Sequence, residues 1–98
     1  MSFSIKVSEY QKNITLNICD AELLGKTITQ GDLNMNISGS YYGGRMVEEN
    51  EAADLLKTSH IINMVGKKTT SLAIKLGIGS ESGIKTISDI PFLIVFKM

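Results

Sequence analysis

The spacing of apolar residues changes near the middle of this chain, at the segment Tyr41-Tyr42-Gly43-Gly44. Before this segment, short runs alternate apolar and polar residues, which is the period of a half-buried β-strand. After it, apolar residues recur at the spacing of an amphipathic helix. The chain therefore predicts a sheet-forming half followed by a helical half, and the tyrosine–glycine segment joins the two.

The first half contains three clear strand patterns, in residues 3–7, 14–19 and 33–37. A polar connection between the first two is long enough for a hairpin loop, and turn residues precede the third. Residues 26–29 predict a further short strand. Between the second and third patterns, residues 20–25 indicate one helical turn. Asp20 is suited to cap this turn with its carboxylate, and Gly25 is suited to end it.

The second half predicts two helices. Residues 48–57 place Ala52, Leu55 and Leu56 on one side, with acidic residues first and Lys57 last, as the helix dipole favours. The apolar positions of residues 59–76 fall on one stripe of a single longer helix. Gly66 lies at the edge of that stripe, where it either lets another backbone approach or divides the helix in two.

The C-terminal residues indicate a return to strand structure. Residues 84–87 predict a short strand, and residues 92–96 are apolar on both faces. Such a run is typical of a strand that is buried on both sides or that meets a partner chain. We therefore expect an α+β fold, a single domain over residues 1–98, with a mainly antiparallel sheet and two helices packed on one face. The expected core comprises Phe3, Ile5, Val7, Ile14, Leu16, Ile18, Leu56, Ile61, Val65, Leu72, Leu76 and Ile94.

Composition excludes several classes of protein. With 98 residues and 43% apolar residues, the chain fits one folded domain, and no apolar run approaches the roughly 20 residues of a membrane helix. We expect a cytoplasmic protein without membrane association, because the N-terminus lacks a signal-peptide pattern. Cys19 is the only cysteine, which rules out an internal disulfide and a zinc site built on several thiolates. We expect no cofactor, no metal site and no catalytic residue.

Two glycine-containing segments resemble nucleotide-binding motifs but fail on spacing. Leu24-Gly25-Lys26-Thr27 matches the end of a P-loop, yet the required earlier glycine is replaced by Asp20 and the helical turn precedes the segment. Residues 77–83 lie between a predicted helix and a predicted strand, which is the reverse of the order in a dinucleotide-binding fingerprint. Both segments therefore predict connections rather than nucleotide sites.

Two features remain as candidate binding surfaces. The first is Tyr41 with Tyr42, Gly43 and Gly44, which is a tight turn covering the core, a recognition loop with a stacking ring and bare amides, or a protein interface. The second is a lysine-bearing flank that comprises Lys67, Lys68 and Lys75 beside His60. Residues 55–80 contain no acid, although the whole chain has zero net charge. Such a flank is most often simply solvated, but it also suits contact with phosphates.

Three motifs resemble an archaeal protein family known as domain of unknown function 424. They are Cys19-Asp20-Ala21-Glu22-Leu23-Leu24-Gly25-Lys26, then Tyr42-Gly43-Gly44, then Asn63-Met64-Val65-Gly66. The resemblance runs from about Phe3 to Ile90. It implies a small archaeal cytoplasmic protein with an α+β fold, and it implies no activity or cofactor. Members often carry a histidine after a proline near the C-terminus, but Phe92 follows Pro91 here, so no role of that histidine carries over.

These observations lead to three hypotheses for function. The first is a non-enzymatic binding module for RNA or a ribonucleoprotein of the translation machinery, which would use Tyr42, Gly43 and Gly44 for stacking and backbone contacts. Phosphates would be contacted by Lys26, Lys67, Lys68 and Lys75. The second is a protein-interaction or homodimer module that uses the apolar residues 92–96. The third is a small-molecule-binding domain or enzyme centred on the tyrosine–glycine segment, which the scarcity of titratable groups there disfavours.

Overall fold

The computed structural model describes residues 2–97, in which eight strands and three α-helices are present. The strands are β1 (Phe3–Tyr10), β2 (Asn13–Asp20), β3 (Thr27–Gln30), β4 (Leu33–Asn36), β5 (Arg45–Val47), β6 (Ile61–Val65), β7 (Lys85–Ile87) and β8 (Ile90–Phe96). The helices are α1 (Gly39–Tyr42), α2 (Glu49–Thr58) and α3 (Lys67–Lys75). Single 3-10 turns occupy Ala21–Leu23 and Glu81–Gly83.

Six strands form one mixed sheet in the order β5-β1-β2-β6-β8-β7, and β3 pairs with β4 in a separate hairpin. All neighbouring pairs are antiparallel except β2 and β6, which are parallel. The β1–β2 hairpin turns through Gln11 and Lys12, both with positive φ. This is the two-residue geometry that matches the twist of antiparallel strands. The predicted α+β class with a mainly antiparallel sheet is confirmed.

Helices α2 and α3 pack on one face of this sheet, as predicted. Alternate residues of β1, β2, β6 and β8 point to the helices, because successive side chains of a strand face opposite sides. The resulting core comprises Phe3, Ile5, Leu16, Ile18, Val47, Ala52, Leu56, Ile62, Met64, Leu72, Ala73 and Leu93. No helix in the described residues is long and apolar enough to cross a membrane.

The opposite face of the sheet is only partly covered. We call it the open face, and the strand residues that point to it include Lys6, Ser8, Tyr10, Asn13, Thr15, Asn17, Ile61, Asn63, Lys85, Ile94 and Phe96. The β3–β4 hairpin and α1 cover one end of it. Under them lies a second core of Cys19, Leu23, Ile28, Ile37 and Val65. The rest of this face is exposed to solvent.

The predicted single helix over residues 59–76 is wrong. Residues Ile61–Val65 form the strand β6, and only Lys67–Lys75 are helical. Strand β6 lies in the middle of the sheet, and its open-face residues include apolar Ile61 and Val65, the latter buried in the second core, so the sequence lacks the alternation that marks a half-buried strand. Gly66 divides the two elements with a φ of +112°, a conformation that is incompatible with a continuing helix.

Other local expectations also change. Val7 and Ile94 were expected in the core, but they are 44% and 59% exposed, because Ile94 points to the open face and Val7 borders a groove beside Leu55 of α2. Ile61 and Val65 lie within the sheet rather than on a helix that faces it. Cys19 lies in the second core and is fully buried.

Candidate functional site

Helix α1 holds the two tyrosines over the open face of the sheet. Its first turn is capped by Ser38, whose Oγ accepts a hydrogen bond from Tyr41 N at 3.3 Å. Two side chains of β1 then bind the carbonyl groups of this turn. Ser4 Oγ donates to Tyr42 O at 2.6 Å, and Lys6 Nζ donates to Ser40 O at 2.7 Å. The position of α1 on the sheet is therefore fixed by contacts from the strand beneath it.

The two glycines of the segment allow this close approach. A Cβ on Gly44 would lie 2.7 Å from Ile5 O, and one on Gly43 would lie 2.8 Å from Gly39 O. Their amides are already used, since Gly43 N donates to Gly39 O at 2.9 Å and Gly44 N donates to Ile5 O at 2.7 Å. These amides are therefore not free to bind an anion, and the glycines serve to bring α1 against β1.

A cleft runs between α1, the hairpin and the sheet. Its larger part has a volume of about 450 Å³ and its smaller part about 260 Å³. Both parts are lined by Met35, Tyr42, Asn63 and Phe92. We call this space the amide cleft, because Asn17, Asn36 and Asn63 all line its larger part. Its size lies in the range of small-molecule sites.

Two asparagines form a hydrogen-bonded pair on the sheet beneath the cleft. Asn63 Nδ2 donates to Asn17 Oδ1 at 2.7 Å across the parallel strands β6 and β2. Asn17 Nδ2 in turn donates to Tyr41 O at 3.0 Å. A backbone carbonyl can only accept, so it fixes the orientation of the Asn17 amide and, through it, that of Asn63.

The hairpin covers the cleft. At its base, Gly25 N donates to Ile37 O at 2.7 Å and Ile37 N donates to Lys26 O at 2.9 Å, which continues the pairing of β3 with β4. At its tip, Gln30 Oε1 accepts a hydrogen bond from Ser88 N at 2.6 Å. Lys26 itself is exposed at the base of this hairpin.

Two titratable groups beside the cleft, Tyr42 and Cys19, are neutral at ordinary pH. Burial raises the pKa of Tyr42, and the nearby Cys19 adds to this shift. Burial also raises the pKa of the Cys19 thiol to about 12, with further contributions from Asp20 and Glu22. A thiol with this pKa is a poor nucleophile, because the thiolate is the reactive form. The cleft therefore offers hydrogen-bonding and stacking groups rather than acid–base chemistry.

The open face continues beyond the cleft as an exposed surface of rings, amides and lysines. Tyr10, Tyr41 and Phe96 are exposed to 74%, 67% and 67%. Lys6, Asn17 and Asn63 are directly paired across β1, β2 and β6, and Ile94 of β8 continues the same row. Among the described strand residues that point to this face, none is aspartate or glutamate.

The lysines of α3 lie on the other side of the sheet, and acidic residues accompany them. Lys68 Nζ lies 3.7 Å from a carboxylate oxygen of Glu22. Lys68 and Lys75 line one groove together with Glu49 of α2. Lys67 is exposed at the start of the helix. The structure therefore does not bring these lysines together with Tyr42 on one surface.

His60 does not join that lysine flank. It lies in the connection between α2 and β6, and its Nδ1 accepts a hydrogen bond from Ile14 N at 2.9 Å. Its own backbone amide donates to Ile14 O at 2.8 Å. The imidazole therefore serves to attach this connection to β2. No cluster of three or more potential metal ligands occurs within residues 2–97.

The start of α3 is occupied by a carboxylate of the chain itself. Asp20, at the end of β2, accepts hydrogen bonds from Lys68 N at 3.0 Å and from Thr69 N at 2.8 Å. Thr69 Oγ1 also donates to it at 2.8 Å. The sequence predicts that Asp20 caps the turn that follows it, and this is wrong, because no side-chain hydrogen bond caps that 3-10 turn. The carboxylate instead caps a helix 48 residues later.

Sequence reasoning located the tyrosine–glycine segment but missed Asn17 and Asn63. They lie 46 residues apart and meet only because β2 and β6 are parallel neighbours. One signal was present: asparagine is disfavoured in strands, yet Asn17 lies inside a predicted strand and Asn63 interrupts an otherwise apolar run over residues 61–65.

Known proteins share this fold and sequence pattern. A crystal structure of an uncharacterized conserved protein from Methanopyrus kandleri superposes with a TM-score of 0.79 at 19% sequence identity. The match covers 100% of this chain and 95% of the other, which shows a common fold. No curated protein matches the sequence. The family model described as "Protein of unknown function (DUF424)" matches residues 8–98, and the chain therefore belongs to this family.

Proposed function

We propose that this protein is a non-enzymatic module that binds single-stranded RNA, free or within a ribonucleoprotein, on the open face of its sheet. One observation carries the proposal: this face presents rings, amides and lysines, and no carboxylate among its described strand residues. Unpaired bases stack on aromatic side chains, and lysines attract phosphates. A carboxylate on the same surface would repel the phosphate backbone.

The rings are placed where bases can reach them. Tyr10, Tyr41 and Phe96 are each at least 67% exposed. Burial of an aromatic ring lowers the free energy, so exposed rings favour contact with a partner. They are distributed over β1, α1 and β8, so a single-stranded RNA that crosses the sheet contacts more than one of these rings. A sheet that offers rings for stacking is a known way of binding single-stranded RNA.

The lysines on this face are few, which limits the electrostatic part of binding. Lys6 lies on β1 and Lys85 on the opposite edge strand β7, and Lys26 lies at the base of the hairpin. If Lys6 and Lys85 neutralise two phosphates, log K should fall with log salt at a slope of about −1.4. Stacking, which depends little on salt, would then supply most of the affinity.

The test is fluorescence anisotropy with a labelled single-stranded RNA of about eight nucleotides at about 50 mM salt. We expect saturable binding that weakens by at least about tenfold in Tyr41→Ala/Phe96→Ala, because each lost ring removes about 1–3 kcal/mol of stacking. Val7→Ala is the matched control. Val7 is an exposed apolar residue on β1 that points to the helix face.

A second variant tests whether RNA binds to the open face or to the helix side of the sheet. In Lys67→Glu/Lys68→Glu/Lys75→Glu the charge of α3 is reversed while the open face is unchanged, so we expect affinity to stay within about twofold at moderate salt. Lost binding in this variant, with the ring variant unaffected, would move the RNA site to the helices. Absence of binding by the wild-type protein at low salt would end the proposal.

A second candidate is a homodimer or a protein-interaction module that uses β8. Strand β7 pairs only with Ile90–Phe92, so within the described residues Leu93 to Phe96 has strand β6 on one side and no strand on the other. Ile94 and Phe96 are also 59% and 67% exposed. An unpaired strand edge beside exposed apolar side chains favours pairing with another chain. Light scattering after size exclusion tests this, and a monomer at high protein concentration excludes the homodimer.

A further inference from the structure

Asn63 has hydrogen-bonding capacity that the described protein does not use. A side-chain amide has two N–H groups and one carbonyl oxygen. One N–H of Asn63 is donated to Asn17 Oδ1. The other N–H and the carbonyl oxygen make no hydrogen bond with any described residue, although Asn63 lines both parts of the amide cleft.

The orientation of this amide is set by the protein and not by a ligand. Tyr41 O accepts from Asn17 Nδ2 at 3.0 Å, which turns Asn17 Oδ1 to Asn63. Asn63 must then direct its Nδ2 to Asn17 at 2.7 Å. The remaining donor and acceptor of Asn63 are thus held in fixed positions before any ligand arrives, and preorganised groups lose less entropy on binding.

The walls of the cleft suit a flat aromatic ligand. Tyr42 and Phe92 line both parts of the space, together with the flexible side chain of Met35. Aromatic and thioether groups pack favourably against planar rings. Lys85 lines the smaller part, at the end away from Lys6 and Asn17. A ring held in the cleft would have a cation available for an adjoining phosphate.

We propose that the amide cleft reads one base of the bound RNA and that this base is preferentially adenine. The inference rests on the proposed RNA binding. The donor and acceptor of an asparagine amide match the amino group and ring nitrogen of adenine in a bidentate contact. Adenine presents such a pair on both of its polar edges, whereas cytosine presents it on one edge only, and as a purine adenine also has the larger stacking area. Asn63 contacts the base, and Asn17 is a positioning residue that orients Asn63.

The experiment compares single-stranded oligomers of A, of purine and of U by fluorescence anisotropy with the full chain. Purine stacks over the same area as adenine but lacks the amino group, and one bidentate contact is worth about 1–3 kcal/mol, so we expect A to bind at least about fivefold more tightly than purine. In Asn63→Ala the A and purine oligomers should bind equally. Asn63→Leu, which keeps the side-chain volume, should give the same result, and it controls for a loss of folding in Asn63→Ala. Asn13→Ala is the matched control, because Asn13 is an exposed amide of the open face that does not line the cleft.

The comparison with U separates stacking from hydrogen bonding. Any preference for purine over U reports stacking area alone, so it should be the same in the wild-type protein and in Asn63→Ala. Equal binding of A and purine by the wild-type protein, or a preference for A over purine that survives Asn63→Ala, would overturn this inference and leave RNA binding standing. Failure to bind any oligomer would instead overturn the proposed function itself.

Discussion

Gly66 and Asp20 occupy adjoining space so closely that a Cβ on Gly66 would lie 2.3 Å from Asp20 Cγ. Gly66 ends β6 and Asp20 ends the parallel strand β2. The carboxylate fits against the glycine and binds the first amides of α3. Because Gly66 has no side chain, the Asp20 carboxylate has room to cap α3.

Gly66→Ala should destabilise the fold strongly. The new methyl group would overlap the Asp20 carboxylate, and the φ of +112° is unfavourable for alanine. We expect a loss of about 2–4 kcal/mol in the free energy of unfolding, measured by urea denaturation.

Gly77→Ala provides the control for that substitution. Gly77 also has a positive φ, of +78°, but a Cβ there would meet nothing within 4 Å. We expect a loss of about 1 kcal/mol, from backbone strain alone. Equal losses for the two variants would show that contact with Asp20 is not the cause.

Removing the Asp20 carboxylate should destabilise the start of α3. Asp20→Ala deletes three hydrogen bonds and leaves Thr69, which is fully buried, without its partner. We expect a loss of about 2–4 kcal/mol, since charge-assisted bonds contribute more than neutral ones. Asp20→Asn keeps the volume and one carbonyl acceptor and should lose less. If both variants unfold at the wild-type urea concentration, the cap contributes nothing to stability.

This cap also shows where sequence reasoning succeeds and where it stops. Strand periodicity predicted β1, β2 and β4, because each alternates apolar and polar residues, and it also indicated a short strand at the position of β3. It failed for residues 59–76, since β6 carries apolar residues on both faces and α3 continues its apolar stripe. The target of Asp20 depends on which strand becomes the neighbour of β2, which local spacing does not encode.

Stability should fall at alkaline pH through Cys19. Its thiol has a pKa of about 12 in the folded protein, against an ordinary 9.0. The unfolded chain therefore loses this proton first, so the contribution of Cys19 is intact below pH 9.0 and is lost as pH rises to about 12. We expect the wild type to lose about 1.4 kcal/mol per pH unit in this window relative to Cys19→Ala. Parallel curves for the two proteins would contradict this.

Lys97 should stabilise the end of α2. Its Nζ donates to Leu56 O at 2.6 Å and to Lys57 O at 2.9 Å, which are carbonyl groups of the last helical turn. Lys97→Met keeps the aliphatic chain but removes the donor, and we expect a loss of about 1–2 kcal/mol in thermal or urea unfolding. Lys85→Met, at an exposed lysine of β7, should change stability by less than about 0.5 kcal/mol.

Only part of the candidate site could be predicted from the sequence. Tyr42, Gly43 and Gly44 stood out by residue type, but the glycine amides are used internally, and the role of these glycines is close packing. Asn63 looked like an ordinary polar position of a predicted helix. Its importance depends on the pairing of β6 with β2, which brings it to Asn17, and on α1, which places Tyr41 O above them.

The hairpin over the cleft is held at its tip by the bond between Gln30 and Ser88, and at its base by Ile28 and Ile37, which are buried in the second core. Because swinging it aside would expose these two side chains, the hairpin is not built as a hinged lid. A ligand of the proposed kind would instead slide in sideways from the uncovered part of the sheet, with one end remaining outside. That route favours a flexible linear polymer, which can insert one unit at a time, over a compact molecule that must be enclosed whole.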